Sequence, residues 1–286
     1  MGILNRTLAT AINYFKQELT VVFDAAELTQ ILHITFTHFF NLDRVDLSLN
    51  KSDLFSDSDF EKLTTIVAQL KTKKPLAHII GEWEFYDLRF KVSEHTLIPR
   101  PETEELVRLI IEENKTLNQL SLLDVGTGTG CIAIALKNNL LNSAVLAVDV
   151  SEKALQLAKE NAALNNVSVD FNLMNILKPK EIANKFNVIV SNPPYITLKE
   201  KKLMQENVLN FEPHLALFVA DETPLIFYIA IANFALNHLT DKGKLYFEIN
   251  EFYGEEVKLM LINKKFKNVN IVKDINGRDR IVSCNS

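Results

Sequence analysis

Apolar positions recur at spacings of three and four through the first quarter of the chain. Leu4, Leu8, Ile12, Phe15 and Leu19 fall on one face of a helix. Leu28, Ile31, Leu32 and Phe36 mark a second helix, with Asp24 placed to cap it. Phe60, Leu63, Ile66, Val67 and Leu70 mark a third, capped by Asp57 or Ser58. No glycine lies between Gly2 and Gly81 and no proline precedes Pro75, so nothing breaks these runs. Residues 1–75 are predicted to form a small helical bundle.

The pattern then changes period. Trp83, Phe85, Leu88, Phe90 and Val92 alternate as in extended chain, and 76–98 reads as a β-hairpin linker. Pro99 and Pro101 flank Arg100 and exclude regular structure there, and helical spacing resumes from Thr103 to about Asn114. From Leu120 onward apolar runs alternate with helical stretches: "LSLLDVG" before "GCIAIALKNN", "AVLAVDVS" before "EKALQLAKENAALNN", then "SVDFNLMN", "FNVIVSNPPY", "GKLYFEIN", "GEEVKLMLINKKF" and "VNIVKDINGRDRIVSC". This rhythm predicts an α/β domain over 99–286, a doubly wound, mostly parallel sheet with helices on both faces. Ligands of such sheets sit beyond the carboxyl ends of the strands. The stretch "ITLKEKKLMQENVLNFEP" (196–213) is polar and long for a connection, and reads as a mobile cover over that end.

Composition narrows the class of function. The chain is 47% hydrophobic and 23% charged, the balance of a soluble globular protein. A net charge of −5 argues against a protein that grips long nucleic acid through its phosphates. Charged residues interrupt the N-terminal apolar run, against a signal peptide or membrane span, and Arg6 stands where a myristoylation signal needs Ser or Thr. Cys131 and Cys284 show no metal or disulfide spacing, and neither do the six histidines (33, 38, 78, 95, 214 and 238). A cytoplasmic protein, a monomer, with no membrane partner and no metal is expected.

Four stretches carry candidate chemistry. Gly126-Thr127-Gly128-Thr129-Gly130 joins an apolar strand to a helix, with Asp124 just ahead of it. The glycines permit a tight turn and close approach of a ligand to the backbone. The run is not the G-x-G-x-x-G of dinucleotide sites; with Asp124 it matches the pattern associated with S-adenosyl-L-methionine, which has no phosphate and ends in an amino acid. Asp149 closes the next strand, about twenty residues on, where an acid accepts from both ribose hydroxyls; an ordinary helix cap is the alternative. Asn175 and Ile176, after the third strand, are candidates for the adenine edge and face, or belong to a surface loop.

The fourth stretch is Asn192-Pro193-Pro194-Tyr195, at the end of an apolar strand. It is a simple turn or a clamp for a planar amino group. As a clamp, the Asn192 side-chain oxygen and the Pro193 carbonyl accept both hydrogens of a substrate NH2 and aim its delocalised lone pair at the methyl donor. Pro193 has no N–H to compete, and Tyr195 packs on the planar group.

Several segments carry a resemblance to a known family. "GEWEFYDLRFKVSEHTLIPRPETEELV" (81–107), "FEPHLALFV" (211–219), "GKLYFEIN" (243–250) and "DINGRDRIV" (274–282) resemble the bacterial release factor glutamine methyltransferases, in order from about residue 75 to the end. The first 70 residues agree in size and helical class. The resemblance implies a Rossmann-like class I methyltransferase with a seven-stranded sheet, S-adenosyl-L-methionine as cofactor and S-adenosyl-L-homocysteine as product. It implies N5-methylation of the glutamine in the Gly-Gly-Gln loop of class I peptide chain release factors, with the helical domain recognising the factor. Carried onto this chain, Gly126 to Gly130 and Asp149 hold the donor, Asn192 to Tyr195 hold the glutamine, and Arg100, Pro101, Glu102 and Thr103 shape the donor pocket's edge.

The chain departs from that family at Asn175 and Ile176, where an acid and an aromatic are expected. It departs again at Asn250, in place of a glycine, and at Glu222-Thr223-Pro224, in place of a Gly-rich turn. The rival functions are methylation of a ribosomal-protein glutamine or of adenine N6, the latter needing a base-flipping pocket and a basic groove, and a non-catalytic translation-associated binding module.

Overall fold

The computed structural model describes residues 6–286, so Leu4, counted above on the first helical face, lies outside the described residues. The chain divides into two compact units. One comprises the residues up to Gly81 with Gln205–Phe211; the other comprises Glu82–Met204 and Glu212–Ser286.

The first unit contains α1 (Leu8–Leu19), α2 (Ala25–Phe40), α3 (Arg44–Leu49), α4 (Asp57–Lys71) and α5 (Leu76–Ile80). The apolar faces read from the sequence are its core: Leu8, Phe15, Leu19, Leu28, Phe36, Leu63, Val67 and Leu70 are buried together. Asp24 caps α2, its carboxylate accepting from the amides of Ala26 and Glu27, both at 2.9 Å. The cap of α4 is Ser56 rather than Asp57 or Ser58: its hydroxyl accepts from Asp59 N at 3.1 Å. Asp57 is the first helical residue, where its charge still complements the helix dipole. α3 and α5 span six and five residues, too short to show a period. The short helix Glu206–Phe211 completes the unit, with Lys73 paired to Glu206 at 2.9 Å.

The second unit opens with a hairpin, β1 (Glu82–Phe85) and β2 (Leu88–Lys91). Its two turn residues, Tyr86 and Asp87, both have positive φ (51° and 59°), which matches the twist of a two-residue hairpin loop. This corrects the expected 76–98 linker: residues 76–80 are a helix of the first unit, and the hairpin is built into the second. Buried Asn161 pins it. Its carbonyl accepts from Lys91 N at 2.7 Å, and its amide donates to Lys91 O and Thr129 O at 3.0 and 2.9 Å. One side chain thus ties the hairpin to the Gly-rich loop.

There follow α6 (Pro101–Asn114), β3 (Ser121–Val125), α7 (Cys131–Asn139), β4 (Ala144–Asp149), α8 (Glu152–Leu164), β5 (Asp170–Leu173), β6 (Phe186–Ser191), β7 (Ile196–Thr197), the Glu206–Phe211 helix as α9, β8 (Phe218–Val219), α10 (Ile226–His238), β9 (Leu239–Glu248), α11 (Gly254–Asn263), β10 (Lys267–Lys273) and β11 (Asp279–Asn285). α6 begins at Pro101, two residues before the predicted Thr103. A proline at the first turn has no N–H to lose there, so it starts a helix as well as it breaks one.

The main sheet has seven strands in the order β10-β11-β9-β6-β3-β4-β5. β9, β6, β3, β4 and β5 run parallel, and β11 and β10 join antiparallel. Alternate residues of the central strands feed opposite layers. Leu123, Ile189, Leu245 and Phe247 pack with α10 and α11, while Leu122, Val188, Val190 and Tyr246 pack with α6 and α7. Burial on both faces is why these strands read as continuous apolar runs. The chain moves outward from β3 to β5, then returns to β6 on the other side of β3, so the switch point lies between β3 and β6. The 196–213 stretch, read above as a mobile cover, carries secondary structure. β7 pairs with β8, residues 200–203 form a 3₁₀ turn, and α9 groups with the first unit.

Candidate active site

A cavity of about 350 Å³ opens beyond the carboxyl ends of β3, β4 and β6, the size of a small-molecule site. Of the residues singled out in sequence, Arg100, Thr103, Gly126, Thr127, Gly128, Thr129, Asp149, Asn175, Ile176, Asn192, Pro193 and Pro194 line it. Asp124, Gly130, Pro101, Glu102 and Tyr195 do not, and each has another place.

Asp124 lies beneath the loop, 1% exposed, accepting from the Thr127 hydroxyl at 2.6 Å. Burial pushes its carboxyl up to about 7 against the pull of that hydroxyl. It therefore shapes the loop from below rather than lining the cavity. Gly130 has φ +83°, and a Cβ there would meet Ile134 Cδ1 at 3.0 Å and Ala158 Cβ at 3.1 Å. It lets α7 pack on α8. Gly130→Ala is expected to lower the unfolding free energy by about 2 kcal/mol, read from the urea midpoint, through left-handed strain and crowding. Pro101 borders a separate depression with Glu102 and Arg108.

Gly126 and Gly128 also have positive φ, 76° and 54°, but a Cβ at either would meet nothing within 4 Å. The space over this backbone is open. Its amides are nevertheless engaged: Gly126 N and Thr127 N donate to Val148 O at 2.8 and 3.1 Å, and Gly128 N donates to Asp149 Oδ2 at 2.9 Å. A phosphate would need those amides free. Open backbone beside a carboxylate instead fits a ligand with hydroxyls and an uncharged ring, as S-adenosyl-L-methionine has.

Asp149 accepts from Ser151 N through Oδ1 at 2.9 Å. It is not the cap of α8; Ser151 is, its hydroxyl accepting from Ala154 N at 3.2 Å. Burial raises the Asp149 carboxyl above its ordinary range, opposed by the Ser151 and Gly128 amides. Asn175 Oδ1 accepts from Leu177 N at 2.9 Å, an Asx turn that fixes its side chain on the wall beside Ile176. Cys131 also lines the cavity, but burial pushes its thiol up to about 12, far from the thiolate a nucleophile requires.

Asn192 stands at the end of β6, and its Nδ2 donates to Thr103 Oγ1 at 3.2 Å. Tyr195, expected to pack on a planar substrate group, turns inward: its ring packs against the core, and its hydroxyl donates to Glu248 Oε1 at 3.2 Å.

Sequence reasoning assigned no role to three features. His95, Leu97 and Ile98 line the cavity from the stretch after the hairpin. Glu212, 1% exposed in its side chain, accepts from Ile98 N at 3.0 Å and pairs with Arg100, holding that stretch in place. Glu248, 2% exposed, underlies Thr103 and Tyr195. Glu212 and Glu248 each stand in an apolar segment, and a charge there was the available signal, since a buried charge without partners is costly.

Among the described residues, no helix is long and apolar enough to cross a membrane, and no cluster of His, Cys, Asp and Glu could hold a metal ion.

Comparison with known proteins adds the lineage. Residues 103–215 match the model of the methyltransferase small domain, and residues 10–81 match that of the PrmC N-terminal domain. The release factor glutamine methyltransferase of Flavobacterium psychrophilum is 46% identical over 274 residues, covering 95% of this chain and 96% of its own. That of Bacteroides thetaiotaomicron is 40% identical, covering 95% and 98%. Among solved structures, the hMettl16 catalytic domain in complex with an RNA hairpin superposes with a TM-score of 0.57 at 15% identity, over 90% of this chain and 91% of that one, a likeness of fold alone.

Proposed function

The chain belongs to the release factor glutamine methyltransferases, and from that premise we propose that it methylates the side-chain N5 of the glutamine in the Gly-Gly-Gln loop of class I peptide chain release factors, in the cytoplasm. The enzyme is an S-adenosyl-L-methionine-dependent methyltransferase. When bound, that cofactor supplies an electrophilic methyl group on a sulfonium. In this proposal Gly126, Gly128 and Asp149 hold the donor, Asn175 and Ile176 border its adenine, and the helical unit recognises the release factor.

The observation that carries the reading is Asn192 on the cavity wall, with Pro193 and Pro194 beside it and the open glycine backbone sharing the same cavity. The amide nitrogen of glutamine is a poor nucleophile because its lone pair is delocalised. Asn192 Oδ1 and the Pro193 carbonyl accept its two hydrogens and hold the nitrogen in one orientation. Pro193 has no N–H to offer a competing hydrogen bond. Catalysis is then mainly positioning and electrostatics.

The test supplies the enzyme with methyl-labelled donor and, separately, a class I release factor, its Gly-Gly-Gln variant with alanine for glutamine, ribosomal proteins and DNA. Label is expected on the intact release factor and absent from the alanine variant. Label on DNA or a ribosomal protein alone would replace this reading with one of the rival substrates.

A further inference from the structure

Four buried or half-buried side chains from separate elements meet behind Asn192. Thr103, on α6, is 3% exposed, and Glu248, at the end of β9, is 2% exposed. The Thr103 hydroxyl donates to Glu248 Oε2 at 2.6 Å, the Tyr195 hydroxyl donates to Glu248 Oε1 at 3.2 Å, and Asn192 Nδ2 donates to Thr103 Oγ1 at 3.2 Å. Burial raises the Glu248 carboxyl above its ordinary range, and the Thr103 hydroxyl, Arg280 on β11 and the Tyr195 hydroxyl oppose this and favour the carboxylate; Arg280 Nε donates in turn to Asp274 Oδ2 at 3.2 Å. None of these contacts lies on the wall that meets a ligand, apart from Asn192 and Thr103.

The protons in this chain can be counted. A carboxylate only accepts, and a hydroxyl has one proton. Thr103 gives its proton to Glu248, so toward Asn192 its oxygen can only accept. Asn192 must therefore turn its NH2 edge to Thr103, which leaves the carbonyl edge for the cavity.

We infer that Thr103 and Glu248 are positioning residues that fix which edge of the Asn192 amide faces the substrate. The inference rests on the reading above, in which Asn192 accepts from a substrate NH2. Without the carboxylate, the chain reverses. A glutamine at 248 can offer its own NH2 to Thr103, freeing the threonine proton for Asn192 Oδ1. The Asn192 NH2 then meets the substrate NH2, donor against donor. Tyr195, by occupying the second carboxylate oxygen, holds Glu248 in the plane that Thr103 requires.

The experiment compares Thr103→Val, Glu248→Gln, their double variant and Thr103→Ser. Turnover on the release factor is read at saturating donor, and the side-chain amide signals of Asn192 are read by nitrogen-15 NMR, identified by their loss in Asn192→Ala. Thr103→Val and Glu248→Gln are each expected to lower kcat on the order of tenfold to a hundredfold and to shift the Asn192 amide signals. The double variant is expected to be no worse than Thr103→Val alone, because both act through one chain. Thr103→Ser, which keeps the hydroxyl, restores most of the loss.

Unmoved Asn192 signals with full turnover in Thr103→Val would overturn the inference, as would losses that multiply in the double variant. Thr103→Val is nearly isosteric, so it carries the test alone if Glu248→Gln does not fold. A wild-type enzyme that leaves the release factor unlabelled, while the Asn192 signals move in the variants, would overturn the substrate reading and keep the positioning role. Labelled release factor with silent variants would do the reverse.

Discussion

Asn192→Ala is expected to lose turnover by about a thousandfold, the upper range for removing one preorganised polar contact from a reacting centre, while donor affinity stays within a few-fold. The two halves of this prediction come from different parts of the cavity. Asp149 and the open glycine backbone, proposed to hold the donor, end β4 and follow β3, whereas Asn192 follows β6. Removing the amide leaves Gly126, Gly128 and Asp149 in place. It removes the acceptor that orients the substrate nitrogen and leaves Thr103 Oγ1 without the donor it has at 3.2 Å. Single-turnover kinetics with saturating donor measure the loss, and calorimetry with donor alone measures what remains. Turnover within threefold of the wild type would reject the acceptor role. Asn192→Asp is the sharper companion: it keeps the shape but places a carboxylate beside the Thr103 oxygen, and it is expected to be nearly as slow.

Asp149→Ala is expected to weaken donor binding by about a hundredfold or more, since each hydrogen bond to a charged group contributes about 1.5–3 kcal/mol. Part of the loss is indirect. The Asp149 carboxylate also holds the Gly128 and Ser151 amides at 2.9 Å each, so its removal loosens the loop that leaves the glycine backbone open. Asp149→Asn separates the two effects, because it retains one acceptor for the loop. A pH dependence follows from burial, which raises the Asp149 carboxyl above its ordinary range. Ligand hydroxyls that donate to the ionised form favour that form, so binding lowers the pKa. Affinity is then complete above the free enzyme's raised pKa and falls as the pH drops through it. Calorimetry across pH should show this decline in the wild type and none in Asp149→Ala. An unchanged affinity in that variant would remove Asp149 from the donor site.

How far the sequence could be read differs between elements for identifiable reasons. α1, α2 and α4 repeat their apolar spacing over 12, 16 and 15 residues, long enough for the period to stand out. α3 and α5 are single turns or little more and leave no such mark. The α4 cap lies one or two positions before the expected Asp57 or Ser58. Ser56, Asp57 and Ser58 are all capping residues, and only the backbone decides which adopts the extended conformation. The hairpin was legible as extended structure, but not as part of the second unit. That membership depends on Asn161, some seventy residues downstream, reaching Lys91 and Thr129. Pro101 read as a breaker because a proline's effect depends on whether it stands at the first turn or inside a helix.

The chemistry divides in the same way. Local pattern determined the glycine loop, Asp149 at the end of its strand and the Asn192-Pro193-Pro194 run, because each lies at the carboxyl end of a strand whose apolar run is visible and whose exit faces the cavity. Local pattern could not tell the three glycines apart. Open space over Gly126 and Gly128, and packing contacts at Gly130, are facts about neighbours distant in the chain. Nor could it turn Tyr195 inward or raise Glu248 beneath Thr103. Those contacts join residues more than 50 and more than 140 positions apart, and a pairing of that span follows from the order in which strands meet in the sheet. Local pattern placed Gly126, Gly128, Asp149 and Asn192 where strand ends open on the cavity, but neither His95, Leu97 and Ile98 on its wall nor Tyr195 off it. Which way the polar groups face came from the fold, because a hydrogen bond's direction depends on what every partner in its chain already donates.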